Sequence, residues 1–354
     1  MAIKNILLTD FRNFKKKELK FSEGITVITG PNASGKTNIL EGLFLLSSGK
    51  SFKAAIEEEM VNYNSSITGI TGVTSSARLE IKLTRGENGW PRKKLLVNGV
   101  PKRLVDFAGL FKVALFGPRD LDLVTGPPSL RRRFLDFVLS QVDREYHRAS
   151  LSYEKGLRQR NRLLLRIKEE GIPRGNLTFW DQLLIKNGDY ISAKREEFIN
   201  SVNNTNFKFQ INTNYQLEYD SSAISEGRLE RYAREEVAAA TTLVGPHRDD
   251  MQFQITNFTR EADEVLQIKR NLGTYGSRGE QRMGVLWLKL AELAFVEAKT
   301  GERPTLLLDD ILSELDREHR KVVIKVSENQ QTIITTVDKH FLQGFKKVDK
   351  IDIK

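Results

Sequence analysis

Residues 25–37 read ITVITGPNASGKT, and this stretch decides the fold. Its first five residues are all β-branched, which is typical of a buried strand that ends at a glycine. Residues 30–37 then match the pattern G-x-x-x-x-G-K-[ST], and the residues that follow, NILEGLFLLS, change to helical spacing. A buried strand, a glycine-rich loop and a helix in this order predict a phosphate-binding loop at one edge of an α/β sheet.

The residues of this loop suit the phosphates of ATP. Its first six positions are Gly30, Pro31, Asn32, Ala33, Ser34 and Gly35. Backbone N–H groups of such a turn curl around a β-phosphate, and the helix that follows adds the positive field of its N-terminus. Lys36 is expected to reach the β- and γ-phosphates, and the hydroxyl of Thr37 to bind Mg²⁺. The sequence therefore predicts ATP and Mg²⁺ as cofactors.

A second apolar strand, TLLLDD at residues 305–310, ends in two carboxylates. Ligands of parallel α/β sheets bind at the carboxyl edge, where both of these side chains are expected. Asp309 is then the predicted Mg²⁺ partner, and Asp310 is the candidate base that orients the attacking water. Paired acids after a strand can also cap the next helix. The phosphate-binding loop in the same chain favours the metal site.

Ser277 precedes the clearest amphipathic helix of the chain, residues 279–299. With Glu280 three positions later it forms a capping box, which is a complete structural explanation by itself. The same helix start, with its free N–H groups, can also face a γ-phosphate. The two interpretations are compatible, because a capping serine can turn towards an incoming phosphate.

Composition and charge exclude several classes of protein. The 354 residues contain no cysteine, which excludes a disulfide scaffold, thiolate metal sites and cysteine nucleophiles. There is no apolar run of membrane-spanning length and no signal-peptide core near the start, so we expect a cytoplasmic protein without a membrane partner. The formal net charge of +10 points to a polyanionic partner.

The order of the predicted elements indicates how the domains are arranged. Strands dominate both chain ends, whereas residues 129–170 and 177–203 are two long helical runs joined by a short turn. Consecutive long helices with a short connection pack antiparallel, as an arm. We therefore predict an α/β ATPase head built from both chain ends with an inserted helical arm. The expected parts are residues 1–128 with the phosphate-binding loop and an antiparallel β-piece, 129–205 as the arm, and 206–354.

The arm carries a surplus of positive charge. Arg158, Arg162 and Arg166 lie one helical turn apart on one face, a plausible row for tracking phosphates. The alternative is an ordinary solvated helix whose arginine stems cover apolar surface. Zinc-ligand spacing, a recognition-helix motif and an aromatic stacking platform are missing from the sequence. Any contact with double-stranded DNA should therefore be led by the backbone and tolerate all sequences.

The order of these motifs resembles the ABC-type ATPases of the SMC kind. More closely, the chain resembles the RecF family of bacterial recombination mediators. The stretches that carry the resemblance are LTDFRNF (8–14), GPNASGKTNILEG (30–42), FGPRDLDLVTGPPSLRRRFLD (116–136), GPHRDDM (245–251), GSRGEQR (276–282) and LLLDDILSELD (306–316). They cover nearly the whole chain, and GPHRDD together with the PPSLRRRFLD block separates the RecF family from other SMC-like proteins.

The resemblance implies a composite nucleotide site between two subunits. Ser277, Gly279, Gln281 and Asp316 would then act on the nucleotide of the partner, so that ATP holds a homodimer together. Arg12 matches a position that contacts phosphate in the family. The resemblance also implies binding to double-stranded DNA at single-strand gap junctions, a partner named RecR, and help in loading the RecA recombinase.

Two departures from the wider ATPase pattern predict slow hydrolysis that acts as a timer, and we expect DNA to stimulate this weak ATPase. The glutamate that usually follows the Mg²⁺-binding aspartate is Asp310 here, one methylene shorter. The strand TIITT is followed by Val337 and Asp338 where many ABC proteins place a switch histidine, and His340 is offset. A transporter ATPase subunit is the main alternative, although it is expected to carry the switch histidine. A small-molecule kinase would need no element that acts on a partner's nucleotide.

Overall fold

A computed structural model describes residues 2–86, 92–205, 213–261, 264–338, 340 and 344–353. The chain divides into two compact units. The first consists of Met1–Asp120 and Glu292–Lys354, and the second of Leu121–Ala291. Within the described residues no helix has the length and apolar character needed to cross a lipid bilayer.

Strands and helices are numbered in chain order. The strands are β1 (Ile3–Phe11), β2 (Phe14–Lys20), β3 (Ile25–Thr29), β4 (Ile67–Thr74), β5 (Arg78–Thr84), β6 (Arg92–Val97), β7 (Val100–Lys102), β8 (Val113–Phe116), β9 (Thr213–Asp220), β10 (Asp250–Glu261), β11 (Glu264–Asn271), β12 (Thr305–Asp309), β13 (Thr332–Thr336) and β14 (Asp349–Asp352). The helices are α1 (Lys36–Ser48), α2 (Leu104–Phe107), α3 (Asp122–Thr125), α4 (Pro128–Val142), α5 (Arg144–Glu170), α6 (Thr178–Asn203), α7 (Glu226–Arg231), α8 (Ala233–Ala239), α9 (Leu272–Tyr275), α10 (Arg278–Thr300) and α11 (Arg317–Ser327).

A parallel sheet forms the centre of the first unit. Its strand order is β14-β3-β13-β12-β8, and all neighbouring strands pair in parallel. Strands β3 and β13 are buried along their whole length, as their apolar, β-branched sequences require. Because β3 and β8 come from the first third of the chain and the other three strands from its end, the α/β sheet built from both chain ends is confirmed.

The first unit also contains an antiparallel sheet of order β2-β1-β4-β5-β6-β7. Its buried positions alternate with solvent-facing ones, the pattern expected of a sheet with one covered face. Helix α1 approaches this sheet closely at Gly42, where a Cβ atom would lie 2.9 Å from Leu8 and 3.1 Å from Ile6. The glycine therefore lets α1 pack against β1, and that contact fixes the helix that follows the glycine-rich loop.

The second unit consists of the helical arm, the short helices α7 and α8, and a three-stranded sheet of order β11-β10-β9. Helices α5 and α6 are antiparallel as predicted, and a Cβ atom at Gly156 would lie 2.6 Å from Leu183. The prediction of one helix over residues 129–170 is wrong. The chain ends α4 at Val142 and starts α5 at Arg144, because the side chain of Asp143 accepts the backbone N–H of Tyr146 and caps the new helix.

Two motifs that carry the family resemblance contact each other inside the second unit. Arg131 of the PPSLRRRFLD block donates to both carboxylate oxygens of Asp250, at 2.7 and 2.9 Å. The adjacent Asp249 of GPHRDD accepts a hydrogen bond of 2.9 Å from Arg195 on α6. Both Asp249 and Arg195 are buried. The two acids therefore connect α4 and α6 to the start of β10.

Arg160, which the sequence places in the basic arm, is a buried residue. Its guanidinium donates to Asp181 at 2.6 Å and to Glu236 at 2.7 Å, and its side chain has no exposed surface. Removing one partner of such a buried pair typically costs about 3–5 kcal/mol, because a charge remains buried without a counterion. Part of the apparent charge surplus of the arm is thus internal, and it is neutralised there.

His247 of the GPHRDD motif holds this loop in place. Its Nδ1 lies 2.8 Å from the hydroxyl of Tyr153, and its Nε2 lies 3.0 Å from the carbonyl of Thr242. Burial lowers the pKa of His247 to about 4, so the ring is neutral at physiological pH. Both ring nitrogens are therefore occupied by structural hydrogen bonds.

Candidate nucleotide-binding site

The glycine-rich loop connects β3 to α1 at the carboxyl edge of the parallel sheet. Ala33 and Gly35 have φ angles of 64° and 99°, the left-handed region that curls successive N–H groups inwards. A Cβ atom at Gly35 would lie 2.5 Å from the ring of Phe14, so glycine is required there for steric as well as conformational reasons. The chain thus builds a concave turn at the N-terminus of a thirteen-residue helix.

Lys36 folds back over this turn. Its Nζ atom donates to the carbonyls of Gly30 and Pro31, both at 2.7 Å. Burial lowers the pKa of Lys36 below its usual range, and the nearby carboxylates of Asp310 and Asp309 act in the opposite direction. The ammonium group therefore lies among loop carbonyls and two acids, in a place where an anionic ligand would replace weak acceptors by strong ones.

Asp309 and Thr37 form the pair that the sequence predicts for Mg²⁺. The Thr37 hydroxyl donates to Asp309 Oδ1 at 3.0 Å, and the hydroxyl of Thr335 on β13 donates to the same oxygen at 2.7 Å. A hydroxyl and a carboxylate side by side suit Mg²⁺, which takes one or two protein oxygens and completes its shell with water and phosphate. Among the described residues no cluster of three or more acids or histidines could hold a metal alone.

Asp310 adopts a strained backbone conformation at the end of β12. Its φ of 51° lies in the left-handed region, which Asp tolerates better than most residues. Burial raises the pKa of Asp310 above its ordinary value; the carboxylate of Asp309 adds to this effect, and Lys36 opposes it. The strain and the raised pKa both place Asp310 among the groups that functional sites tend to hold.

Ser34 provides an observation that fits a bound phosphate. In the part of the chain that the structure describes, its hydroxyl is buried and has no hydrogen-bond partner. Buried hydroxyls are normally paired, so an unpaired one inside a phosphate-binding turn fits the oxygen of a ligand. Together with Lys36 and the curled N–H groups, the residues present are suited to the triphosphate of a nucleotide.

Arg12 lies in the tight turn between β1 and β2, where its φ is 54°. Its Nε and Nη2 atoms donate to Glu41 on α1, at 2.9 and 2.6 Å, and its Nη1 donates to the carbonyl of Glu59 at 2.7 Å. The guanidinium therefore links the turn to the helix that follows the loop. The phosphate contact that the resemblance implies for Arg12 stays a prediction.

The sequence analysis missed Glu41 and Asn13. Glu41 is fully buried. Its position as a lone acid on the apolar face of α1 could have indicated a charged partner, because buried acids are paired. Asn13 donates to the carbonyl of Ser34 at 3.3 Å and accepts from Asn38 of α1 at 2.8 Å. No local pattern in the sequence indicates that Asn13 supports the loop, because its partners lie more than twenty positions away.

Ser277, Gly279 and Gln281 belong to the second unit. The capping box is present: Ser277 N–H donates to Glu280 at 2.7 Å, and the Glu280 N–H donates to the Ser277 hydroxyl at 3.3 Å. Space around Gly279 is open, with only the Ser277 hydroxyl 4.0 Å from a Cβ built there. The side-chain amide of Gln281 donates to the carbonyl of Gly276 at 3.2 Å. Their action on a partner's nucleotide stays a prediction.

Asp316 caps α11 in the first unit. Its Oδ1 atom accepts the backbone N–H groups of Glu318 and His319, both at 3.0 Å. The backbone N–H of His319 makes the largest contribution to lowering the pKa of Asp316. Its side chain is 63% exposed, so the carboxylate can meet another molecule while it caps the helix.

The arm arginines are exposed, as a DNA-tracking row requires. Arg158 lies 3.3 Å from Glu154 and Arg166 lies 2.9 Å from Glu170, each one turn away on the same helix. Arg162 has no carboxylate partner among the described residues. Exposed pairs of this kind contribute only about 0.3–0.5 kcal/mol, so phosphates can compete for the paired arginines.

Known proteins are similar to this chain over nearly its whole length. The model of the RecF/RecN/SMC N-terminal domain family matches residues 2–354. The DNA replication and repair protein RecF of Herpetosiphon aurantiacus is 34% identical, over 96% of this chain and 94% of its own length.

Solved structures extend the comparison to the fold. The structure of the recombination mediator protein RecF with ATP, from the RecFOR pathway, is 33% identical with a TM-score of 0.83, over 95% of this chain and 92% of that one. The Smc head domain of Pyrococcus furiosus, bound to the C-terminal domain of ScpA, has a TM-score of 0.52 at 15% identity, over 99% of this chain and 94% of that one. The second likeness concerns the fold alone, and it confirms that the chain has the fold of an Smc head domain.

Proposed function

The chain belongs to the RecF family, within the RecF/RecN/SMC N-terminal domain group, and we propose that it is an ATP-dependent DNA-binding protein of recombinational repair. One observation carries the proposal: the lysine, hydroxyl and carboxylate of a nucleotide site converge at one sheet edge, where Thr37 lies 3.0 Å from Asp309. Its RecF relatives are replication and repair proteins, and one of them has been solved with ATP.

In the proposed cycle the residues of one protomer bind the nucleotide and those of its partner close the site. Lys36 and the loop N–H groups would hold the β- and γ-phosphates, and Thr37 and Asp309 would hold Mg²⁺, which would neutralise phosphate charge. Asp310 accepts a proton from the attacking water and orients it. Ser277, Gly279, Gln281 and Asp316 meet the nucleotide from the other protomer, so ATP stabilises a homodimer.

The dimer would bind double-stranded DNA at single-strand gap junctions in the cytoplasm. The proposal includes a RecR partner, which the RecFOR pathway of a solved RecF relative supports, and help in RecA loading, which only the family resemblance implies. Slow, DNA-stimulated hydrolysis would time release. Similarity to RecF proteins along nearly the whole chain does not favour the alternative of a transporter ATPase subunit. Sedimentation with and without ATP and duplex DNA tests the proposal. A protein that stays monomeric with saturating ATP, and binds no duplex, would contradict it.

Changing Ser277 to Asp separates the cap from the phosphate contact. Aspartate caps a helix as well as serine does, so the melting temperature should change little. Its negative charge should repel a γ-phosphate, however, and raise the ATP-dependent dimer dissociation constant at least about tenfold. Ser277→Thr keeps the hydroxyl and serves as the matched control. If Ser277→Asp dimerises with ATP like the wild type, the residue acts as a helix cap only.

The outer face of the antiparallel sheet offers a second cationic surface. We call Lys16, Lys82 and Lys94 the lysine row, because they lie in register across the sheet through Thr9 and Gly69. Lys82 is directly opposite Lys94, and like charges in that position destabilise a sheet. All three are exposed and have no carboxylate partner within the described ranges. An anionic partner would relieve this repulsion.

Duplex titrations at several salt concentrations decide between the two surfaces. Replacing Arg158, Arg162 and Arg166 by Glu should weaken all duplex sequences about equally. The slope of log affinity against log salt should fall by about 0.9 for each lost phosphate contact. The matched control replaces the three residues of the lysine row by Glu. If the folded arm variant keeps the wild-type salt slope and the lysine-row variant has a reduced slope, the DNA surface lies on the sheet and not on the arm.

A further inference from the structure

A short segment connects two acids of the proposed cycle. One acts on the nucleotide of its own protomer, and the other acts on the nucleotide of the partner. The segment runs from Asp310, the candidate base, through a 3-10 turn at Ile311–Ser313 to Asp316. Asp310 is anchored to β13, because its N–H donates to the carbonyl of Thr335 at 3.1 Å. The first turn of α11 supplies further contacts to the same segment. Its shape is therefore set from both ends.

Arg320 fixes the backbone of this segment. Its Nε donates to the carbonyl of Leu312 at 3.1 Å, and its Nη2 donates to the carbonyl of Leu315 at 2.7 Å. A planar guanidinium that holds two carbonyls three residues apart sets the distance between them. The segment can then move only together with the start of α11.

His319 fixes the side chain at the end of the segment. Its ring Nδ1 lies 2.5 Å from Asp316 Oδ2, whereas Oδ1 accepts the two backbone N–H groups of the cap. The imidazole is mostly covered, with 19% of its side chain exposed, whereas the carboxylate of Asp316 is 63% exposed. The covered imidazole of His319 thus orients the exposed carboxylate of Asp316 towards solvent.

We propose that His319 and Arg320 are positioning residues that hold the segment from Asp310 to Asp316 in the shape that a partner protomer meets. This inference rests on the proposed ATP-dependent dimer. The hydrogen bonds that carry this role are made with Leu312, Leu315 and Asp316 of the segment, so we expect ATP binding to a single protomer to be independent of them. Their loss weakens closure of the dimer and slows the turnover that follows closure.

Four substitutions and one control in the 354-residue chain test this role. His319→Leu and Arg320→Met remove the hydrogen-bond donors. His319→Asn keeps a side-chain N–H near the carboxylate of Asp316. Arg320→Lys keeps the charge but cannot donate to two carbonyls in the planar geometry of a guanidinium. Lys321→Met is the matched control, because Lys321 lies on the same turn, is 60% exposed and pairs with Glu318 at 2.7 Å. The measurements are the ATP dissociation constant of the dilute monomer, the dimer dissociation constant with ATP, the turnover number and the melting temperature.

We expect His319→Leu and Arg320→Met to raise the dimer dissociation constant at least about tenfold, with ATP binding to the monomer unchanged within about twofold. His319→Asn should recover most of the dimerisation, Arg320→Lys should be intermediate, and Lys321→Met should match the wild type. The inference is overturned if the wild type dimerises with ATP and the first two variants dimerise equally well, or if monomer ATP binding falls in parallel. A wild type that never dimerises removes the proposed function as well.

Discussion

Changing Lys36 to Ala is expected to abolish ATP-dependent dimerisation while the fold stays intact. The Nζ atom lies 2.7 Å from two loop carbonyls and faces Asp309 and Asp310, so it is the main cation available to the β- and γ-phosphates in the loop. Truncating one member of a buried charge pair costs about 2–5 kcal/mol of binding, which is at least a thirtyfold loss of affinity. Titration with a fluorescent ATP analogue measures this loss, and sedimentation with ATP measures the dimer.

Lys53→Ala is the matched control for this prediction. Lys53 is an exposed lysine, and its Nζ donates to Asn38 at 2.8 Å. Asn38 lies on the first turn of α1, the helix that begins at Lys36. The control removes an equal charge from the neighbourhood of the loop but no group from the loop itself, so nucleotide affinity should stay within about threefold of the wild type. Equal affinities for wild type and Lys36→Ala would show that the loop does not hold the triphosphate.

The parts of the site that the sequence predicts are those whose signals are local. The run from β3 through the loop to α1 is contiguous in the sequence. Its residue types are explained by local backbone conformation; Gly35, for example, adopts a left-handed φ. Asp309 follows from the same logic, because apolar parallel strands place their carboxyl ends at one edge. A strand next to a glycine-rich loop therefore predicts the positions of Lys36, Thr37 and Asp309 without any tertiary information.

What the sequence did not predict depends on partners far away in the chain. Arg160 looks like a surface arginine of an amphipathic helix, yet Glu236, which neutralises it, lies 76 positions later. Glu41 pairs with Arg12 across 29 positions, and no sequence pattern around either residue indicates the other as its partner. Burial of a charge is decided by the tertiary structure, because only a matching countercharge makes it tolerable.

The division of the helical run shows a different limit. Asp143 caps α5 through a hydrogen bond of 2.8 Å to the N–H of Tyr146, but an aspartate inside a helical pattern is common and does not by itself predict a break. The hydrophobic spacing before and after it is helical in both segments. The sequence thus predicts helical structure on both sides of Asp143 correctly and fails only at the boundary, where one side-chain hydrogen bond caps the new helix.

Asp310→Asn should produce a protein that binds ATP, dimerises and accumulates in the closed state. Asparagine keeps the size and tolerates the φ of 51° at this position, so the backbone should not change. Burial is the main cause of the raised pKa of Asp310, and the substitution removes the second cause, the repulsion between two adjacent carboxylates. Asparagine cannot accept a proton from water, however, and the loss of a general base typically slows a reaction about 10²–10⁴-fold.

Asp309→Asn separates this effect from a general loss of the site. Asp309 accepts hydrogen bonds from Thr37 and Thr335 at 3.0 and 2.7 Å, and in the proposed cycle it holds Mg²⁺ rather than water. Its amide variant should therefore lose Mg²⁺-dependent ATP affinity and dimerisation together, whereas Asp310→Asn should keep both and lose turnover alone. Phosphate release and sedimentation, measured on the same samples with ATP and Mg²⁺, distinguish these two patterns. If Asp310→Asn hydrolyses ATP at the wild-type rate, the attacking water is oriented by another group, and the strained backbone at this position has a structural origin.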